Sequence, residues 1–329
     1  MREVCIVIPN WNGWKDTIEC LNSLVKIEDK EKMMIIVVDN ASTNESVDKL
    51  KIWAKDNLEL GEFLFLKEEN TSPSTKEASV VLIEKEENNG FAGAVNAGLK
   101  YGLEHQSCEY YWILNNDTIV DKYALSELLK FAKGREDLGV LGNTIVEYFD
   151  PSIIQCAGGC YYNKYLTINH AYLHGEKVSS IQEHTQKKKF DYIHGASMFI
   201  PKKVLKQVGY LNEEYFLYYE ELDLVERVKK LNLSLYWCKE SIIQHKGGGS
   251  AGTKSAANPK KSALSEYYSN LSALKYTSRY YPLQLPLVAI NRFFLKVALF
   301  VIKKEWGLFR VLWSSYFNFF TRKGNRGYQ

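Results

Sequence analysis

Several large protein classes leave no mark on this chain. Six cysteines stand at positions 5, 20, 108, 156, 160 and 238, with no C-x-x-C pair and no His or Cys partner for Cys156/Cys160 at zinc-finger spacing. That excludes the usual zinc modules and dithiol redox motifs, and it suits a reducing, cytoplasmic setting. Cys5 lies in an apolar run, where cysteine behaves as a small hydrophobe. There is no G-x-G-x-x-G dinucleotide fingerprint, no internal repeat and no low-complexity tract. No secretory leader is expected, because Glu3 to Ile8 already reads as a strand. Charge of one sign is also scarce, with 42 Lys and Arg against 39 Asp and Glu.

What is present is a folded protein of 329 residues, 46% hydrophobic and 25% charged. Its length allows one large α/β domain with a C-terminal appendage, or two modest domains. Aromatics are abundant (22 Tyr, 15 Phe, 7 Trp). They serve packing, sugar stacking or a membrane belt, and composition does not choose among these.

The first third alternates strand and helix signals, which predicts a mostly parallel sheet with covering helices. Strands are expected at 4–8, 33–38, 63–66, 79–83 and 110–114, and helices at 16–25, 44–53 (capped by Asn44) and 93–103. The polar stretch 67–74 reads as a surface loop or insertion. Residues 150–189 are irregular and rich in Tyr, His, Gly and Gln, a suitable place for acceptor recognition. Regular signals return with an apolar run to Ile200 and helices at 202–208 and 221–231.

In open α/β sheets, ligands bind beyond the carboxyl ends of the strands. Three polar strand ends stand out: Pro9 to Gly13, Asp39 to Ser42, and Asn115 to Asp117. Asp39 suits a nucleobase N–H or a ribose hydroxyl, and equally a turn. The small-residue run Asn88 to Gly98 opens a helix whose first N–H groups would face an anion such as diphosphate. Asp117 is a hard oxygen ligand for a divalent metal whose shell substrate phosphates complete. His245 and Lys246, before a glycine run, suit that metal and the phosphate charge, although a solitary His is more often structural. The densest constellation is Phe216 to Leu224, where Glu220, Glu221 and Asp223 place three carboxylates in four residues. Mutual repulsion beside aromatics raises at least one proton affinity, as a general base requires. Glu220, Asp223 and Arg227 also have helical spacing, so an ion pair is the structural alternative.

Taken in order, IVIPNWNG, VVDNAS, ENNGFAGAVNAG, WILNND, GASMFI, VGYLNEEYFLYYEELDL and QHKGG resemble the family-2 glycosyltransferases of GT-A fold, most of all the bacterial rhamnosyltransferase-like branch. The resemblance covers roughly residues 3–281 and rests on the co-occurrence of all seven motifs. It implies a GT-A catalytic domain over 1–261, with 1–117 as the nucleotide-sugar half and 118–261 as the acceptor half. It further implies that Pro9, Asn12 and Asp39 line the nucleotide pocket and that Asn88, Gly90, Asn96, Asn115 and Asn116 meet the donor. Asp117 and His245 would hold Mg²⁺ or Mn²⁺, Gly195 and Ala196 would floor the acceptor side, and Glu221 would be the base.

Two departures matter. The family's DXD-type motif begins here with Asn115, which leaves metal binding to Asp117 and the donor phosphates. The base position carries Glu where the family usually has Asp. The longer side chain moves the carboxylate by roughly 1 Å, so Glu220 and Asp223 stand as alternatives.

The implied reaction is an inverting transfer from a nucleotide sugar, dTDP-rhamnose first and UDP-hexoses next, to a glycan or lipid-linked acceptor in cell-surface polysaccharide synthesis. A metal-dependent nucleotidyltransferase is the rival enzyme, but it lacks the Lys/Arg-bearing glycine loop after the first strand. A non-catalytic sugar-binding scaffold is the other rival.

The tail, 262–329, is expected to be helical. From Arg279 onward nine basic residues face one acid, Glu305, a local excess of eight that leaves the rest of the chain at minus five. Its charge-free runs fall short of the ~20 residues that span a bilayer. On a helix over 287–320, Arg292, Lys296, Lys303 and Arg310 fall on one stripe beside Phe and Trp. That pattern predicts a peripheral helix at the inner face of the cell membrane, with its basic stripe toward anionic headgroups. Packing on the catalytic domain or across a homodimer is the alternative, Gly307 is a natural break, and nucleic acid is not expected as a partner.

Overall fold

The computed structural model describes residues 2–57, 61–70, 78–105, 108–186, 188–247 and 262–321. The glycine run beyond Gly247 and residues 71–74 of the expected loop lie outside the described residues.

Continuous apolar runs form the first strands. β1 (Val4–Asn10) and β2 (Met33–Asp39) are buried along almost their whole length, as strands covered on both faces must be. The helices α1 (Trp14–Leu24), α2 (Ser46–Asp56) and α3 (Gly90–His105) alternate with β3 (Phe63–Lys67), β4 (Val80–Glu84) and β5 (Tyr110–Leu114). The five strands lie parallel in the order β3-β4-β2-β1-β5. β1 lies next to both β2 and β5, so their carboxyl ends bring Asn10, Asp39 and Asn115 to one edge of the sheet.

The second half extends this sheet and reverses it. The chain runs through β6 (Thr118–Val120), α4 (Ala124–Ala132), β7 (Leu138–Glu147) and β8 (Ile154–Ala157). A separate three-stranded sheet follows, built from β9 (Gly159–Asn163), β10 (Ile168–Ala171) and β11 (Tyr192–Ile193). The segment read as irregular from sequence therefore holds short strands. The expected period was hidden because β10 is largely exposed. β12 (Ser197–Pro201) inserts antiparallel between β5 and β7, followed by α5 (Lys202–Val208), α6 (Glu220–Lys229) and β13 (Ser234–His245). β13 runs parallel to β7 and ends at His245, beside Thr118 of β6.

Three helices close the chain. α7 (Ala263–Tyr280) starts at Ser262, whose Oγ accepts from the Ser265 N–H at 3.0 Å. Ala273 and Tyr276 of α7 belong to the same apolar core as the central sheet. α8 (Leu285–Lys303) and α9 (Leu308–Phe320) share a smaller core with Leu274 of α7, built on Ala289, Phe300, Leu312 and Tyr316. The chain breaks between them at Lys304, which adopts a left-handed conformation (φ 54°).

The basic stripe does not face outward as expected. Arg292 is 6% exposed and donates to Asn270 Oδ1 (2.8 Å), Thr167 Oγ1 (2.6 Å) and Ser269 O (2.7 Å). Lys296 pairs with the buried Glu266 at 2.6 Å. α7 supplies all of these partners except Thr167, and Glu266 deprived of a cation there would be costly, so α8 turns Arg292 and Lys296 inward. Lys303 and Arg310 alone of the four are exposed. By length and composition Pro282–Lys303 could cross a membrane, with a mean hydropathy of 2.0, because the helix continues through Arg292 and Lys296.

Candidate active site

At the carboxyl edge of the sheet lies a cavity of about 430 Å³. It draws residues from all seven sequence motifs, VVDNAS contributing Asn40 and not Asp39. Pro9, Asn88, Gly90, Asn115, Asn116, Asp117, Gly195, Ala196, Glu220, Glu221 and His245 all line it. Asn12, Asp39, Asn96 and Asp223 do not.

Each of those four is committed elsewhere. Asp39 is fully buried, and its carboxylate accepts from Asn10 Nδ2 (2.6 Å), Ser42 N–H (2.9 Å) and Ser42 Oγ (2.7 Å). Its place in the wall is taken by Asn10, Trp11 and Asn40. Asn12 is exposed and accepts from the Thr43 N–H at 2.8 Å. Asn96 holds the chain at Leu211, donating to its carbonyl (2.8 Å) and accepting from its N–H (2.9 Å). Asp223 accepts from Arg227 Nε (3.0 Å) and Tyr280 Oη (2.8 Å), which is the helical ion pair that sequence offered as the structural alternative. These bonds hold the Asp223 carboxylate outside the cavity wall.

The start of α3 is also bound into the fold. The Gly90 N–H donates to Asn88 Oδ1 (2.9 Å) and the Phe91 N–H to the Phe216 carbonyl (2.9 Å). These first amides are therefore not free for an anion, contrary to expectation. Gly90 has φ +75°, and a Cβ there would lie 2.1 Å from the Phe216 carbonyl oxygen. Only glycine permits this approach, and it locks the α3 start to the segment that leads into α6.

Two consecutive tyrosines in the left-handed region, Tyr218 (φ 68°) and Tyr219 (φ 74°), turn the chain into α6. Non-glycine residues adopt this conformation only where surrounding structure imposes it, and such strain gathers at functional sites. The turn aims Glu220 and Glu221 into the cavity. One carboxylate oxygen of each, Oε2, is buried with no hydrogen-bond partner among the described residues. Burial pushes Glu221 up to about 7, against the opposing pull of backbone N–H groups. Burial and then the neighbouring Glu221 charge lift Glu220 well above the usual carboxylate range. Across from them, Gly195 leaves space beside the Glu221 carboxyl, where an added Cβ would only reach contact at 3.7 Å.

At the other end, Asp117 Oδ1 lies 3.3 Å from His245 Nε2. His245 Nδ1 meets Gln155 Oε1 at 2.6 Å, and Gln155 Nε2 points to Glu147 Oε2 at 3.3 Å. That amide orientation makes His245 Nδ1 the donor and turns Nε2 toward Asp117. Burial disfavours the charged imidazole, but the Asp117 carboxylate outweighs it and the pKa is raised. Asn115 Oδ1 is buried nearby with no hydrogen-bond partner among the described residues. No group of three or more His, Cys, Asp and Glu suited to a metal occurs among the described residues. The donor set present is thus one carboxylate and one imidazole, which fits a divalent ion whose remaining positions are filled by ligand oxygens. Lys246 does not attend the cavity. Its ammonium pairs with Asp16 (2.7 Å) and with Glu19.

Sequence reasoning missed Gln155, Tyr192, His194 and Leu264, all in the cavity wall. No local motif marks them. His194 is half-buried, and desolvation followed by the His245 charge depresses it to about 3, so it is neutral.

Residues 5–209 match the model of Glycosyl transferase family 2. Over 248 residues the chain is 24% identical to the low-salt glycan biosynthesis hexosyltransferase Agl10 of Haloferax volcanii, covering 73% of this chain and 66% of that protein. Among solved structures it is similar to GalNAc-T7 with UDP, GalNAc and Mn²⁺ (TM-score 0.57, 12% identity, 84% of this chain and 48% of that one). It is also similar to the mannosyltransferase PcManGT from Pyrobaculum calidifontis in complex with GDP-Man and Mn²⁺ (TM-score 0.51, 16% identity, 98% and 88%). The match thus spans just under two thirds of the hexosyltransferase and less than half of GalNAc-T7. At these identities the two structures show a shared fold.

Proposed function

The chain belongs to Glycosyl transferase family 2, and from that premise we propose that it transfers a sugar from a nucleoside-diphosphate donor to an acceptor hydroxyl in glycan synthesis, with inversion at the anomeric carbon. The observation that carries this reading is the pair Glu220 and Glu221, whose unpartnered oxygens are buried in the same cavity as Asp117 and His245. The nucleotide takes the wall formed by Pro9, Asn10 and Asn40, and the diphosphate takes the Asp117–His245 end. The acceptor hydroxyl approaches Glu221 over Gly195.

Glu221 accepts the hydroxyl proton as that oxygen bonds to the anomeric carbon, while the bond to the diphosphate breaks and its electron pair leaves with the phosphate oxygen. Its raised pKa suits a base that works near neutrality. Burial and then the Glu221 charge raise the proton affinity of Glu220 as well. The described cavity wall holds three carboxylates (Asp117, Glu220, Glu221) and no Lys or Arg, so a diphosphate needs a counter-charge from elsewhere. A divalent cation held by Asp117 and His245, as Mn²⁺ accompanies the nucleotide ligands in the two similar structures, would offset the charge of the departing diphosphate. For the donor we put dTDP-rhamnose first, on the motif order that resembles the rhamnosyltransferase-like branch.

The test is donor turnover by the full chain with dTDP-rhamnose, UDP-hexoses and GDP-mannose, each with and without Mn²⁺, read as nucleoside diphosphate release. One donor is expected to turn over, only with metal, and the product anomer read by NMR is inverted. Donor titration calorimetry should lose its Mn²⁺ dependence in Asp117→Ala. No turnover of any donor under either condition would overturn the enzymatic reading, and a retained anomer would overturn the mechanism.

A further inference from the structure

The outer face of the C-terminal helices goes beyond this reading. With Arg292 and Lys296 of α8 turned inward, α8, α9 and the turn between them expose large apolar side chains: Leu287, Ile290, Phe294 (65% exposed), Ile302 (75%), Trp306 and Trp313 (63% each). Several large apolar side chains exposed on two packed helices mark an interaction surface. We propose that α8 and α9 lie in the plane of an anionic lipid bilayer with this face immersed in the headgroup–acyl boundary.

Three observations select a bilayer surface as the occupant. The exposed charges bordering the face are Lys303, Lys304 and Arg310, and the one acid among them, Glu305, is half-buried. Anionic headgroups complement them, whereas two copies meeting face to face would oppose like charges. Trp306 and Trp313 are the residue type that settles at a membrane–water interface. A spanning helix is disfavoured because Arg292 and Lys296 are tied to Asn270 and Glu266 of α7, and α7 is built into the core of the sheet. Crossing a membrane would strip both cations from those partners. The seat also adjoins the cavity: Val311 of α9 and Tyr267, Tyr268 and Leu271 of α7 share one apolar cluster with Phe216, Leu217 and Tyr218 of the cavity wall.

The experiment is vesicle flotation of the full chain with phosphatidylcholine alone and with phosphatidylcholine plus phosphatidylglycerol, at low and high salt. Wild type is expected to float with the anionic vesicles and to retain part of that binding at high salt. The double variant Phe294→Asp/Ile302→Asp should lose binding at least about tenfold, and Lys303→Gln/Lys304→Gln/Arg310→Gln about fivefold per residue on anionic vesicles only. Thermal melts and donor calorimetry on the same variants should match wild type, because none of these residues lies in the cavity wall. Intact donor binding with no flotation would sink the membrane seat alone and leave the transferase reading standing. Binding unchanged in the Asp variant, or wholly abolished by salt, would overturn insertion. A concentration-dependent dimer by sedimentation, lost in the Asp variant and without flotation, would assign the face to a second copy.

Discussion

The cavity and the C-terminal helices depart from ordinary burial in opposite directions. In the cavity, polar atoms are buried without partners among the described residues: Glu220 Oε2, Glu221 Oε2 and Asn115 Oδ1. In the tail, charged groups are buried with every advantage of pairing, Lys296 on Glu266 and Arg292 on Asn270, Ser269 and Thr167, while aromatic rings are left in water. Neither arrangement is what stability alone selects, since an unmade buried hydrogen bond and an exposed apolar face both cost free energy. Each becomes economical once a ligand is supplied, a polar one in the cavity and an apolar one at the tail. Buried side-chain atoms without a partner among the described residues also occur outside the cavity, on Tyr111, Tyr162, Tyr215, Arg227 and Gln284, but the cavity alone gathers two carboxylate oxygens of this kind.

The contrast is most sharply tested at Glu221. Glu221→Gln should reduce transfer about 10²–10⁴-fold while donor affinity by calorimetry stays near wild type, because the carboxylate acts on the acceptor proton. Near-normal turnover in this variant, with loss in Glu220→Gln, would move the base by one residue. At the tail, Lys296→Ala strands the buried Glu266 and should cost about 3–5 kcal/mol in denaturant unfolding. The double replacement Glu266→Gln/Lys296→Met should recover most of that, and an equally unstable double variant would show that packing, not the ion pair, sets the cost.

Proton linkage gives a third test. Glu221 holds its proton up to about 7 in the folded chain, against ~4.3 when unfolded. Between those values the folded state binds more protons, so this contribution to stability is full below the unfolded pKa and is lost as pH rises through about 7. Glu221→Gln removes the loss and should gain on the order of 1–3 kcal/mol relative to wild type at pH 8, with little gain near pH 4. Wild-type kcat/KM should rise through the same interval as the base ionises. A pH-independent stability difference would mean that Glu221 is charged throughout. The smallest effect is expected at Gln155, which touches His245 and fixes its tautomer. Gln155→Ala should weaken Mn²⁺ or Mg²⁺ binding about 10–100-fold, read by calorimetry, with the fold intact.

Strand and helix placement was largely legible. β5 spans Tyr110–Leu114 and α5 Lys202–Val208, as the apolar patterning predicts. Buried parallel strands leave continuous apolar runs, and few other elements do. The exposed β10 carries no such pattern and was invisible. At the site, the strand-end positions Asn115, Asn116 and Asp117 could be read from a motif, and so could Glu220 and Glu221. Gln155 and Tyr192 could not, because they reach the cavity through β8 and β11 and no local feature of the sequence records that approach.

Sequence by itself determined the family, the parallel first half and the presence of a basic, aromatic tail, since each is written in residues close together along the chain. Only the tertiary structure decided which carboxylate faces the cavity and which is tied into an ion pair. Glu221 and Asp223 differ by two positions on one helix, and their fates are set by Arg227, Arg279 and Tyr280 on one side and by an open cavity on the other. The tail follows the same rule. A helical stripe of cations has no inside or outside until α7 brings Glu266 and Asn270 against it, because where a charge faces depends on the partners that folding places around it.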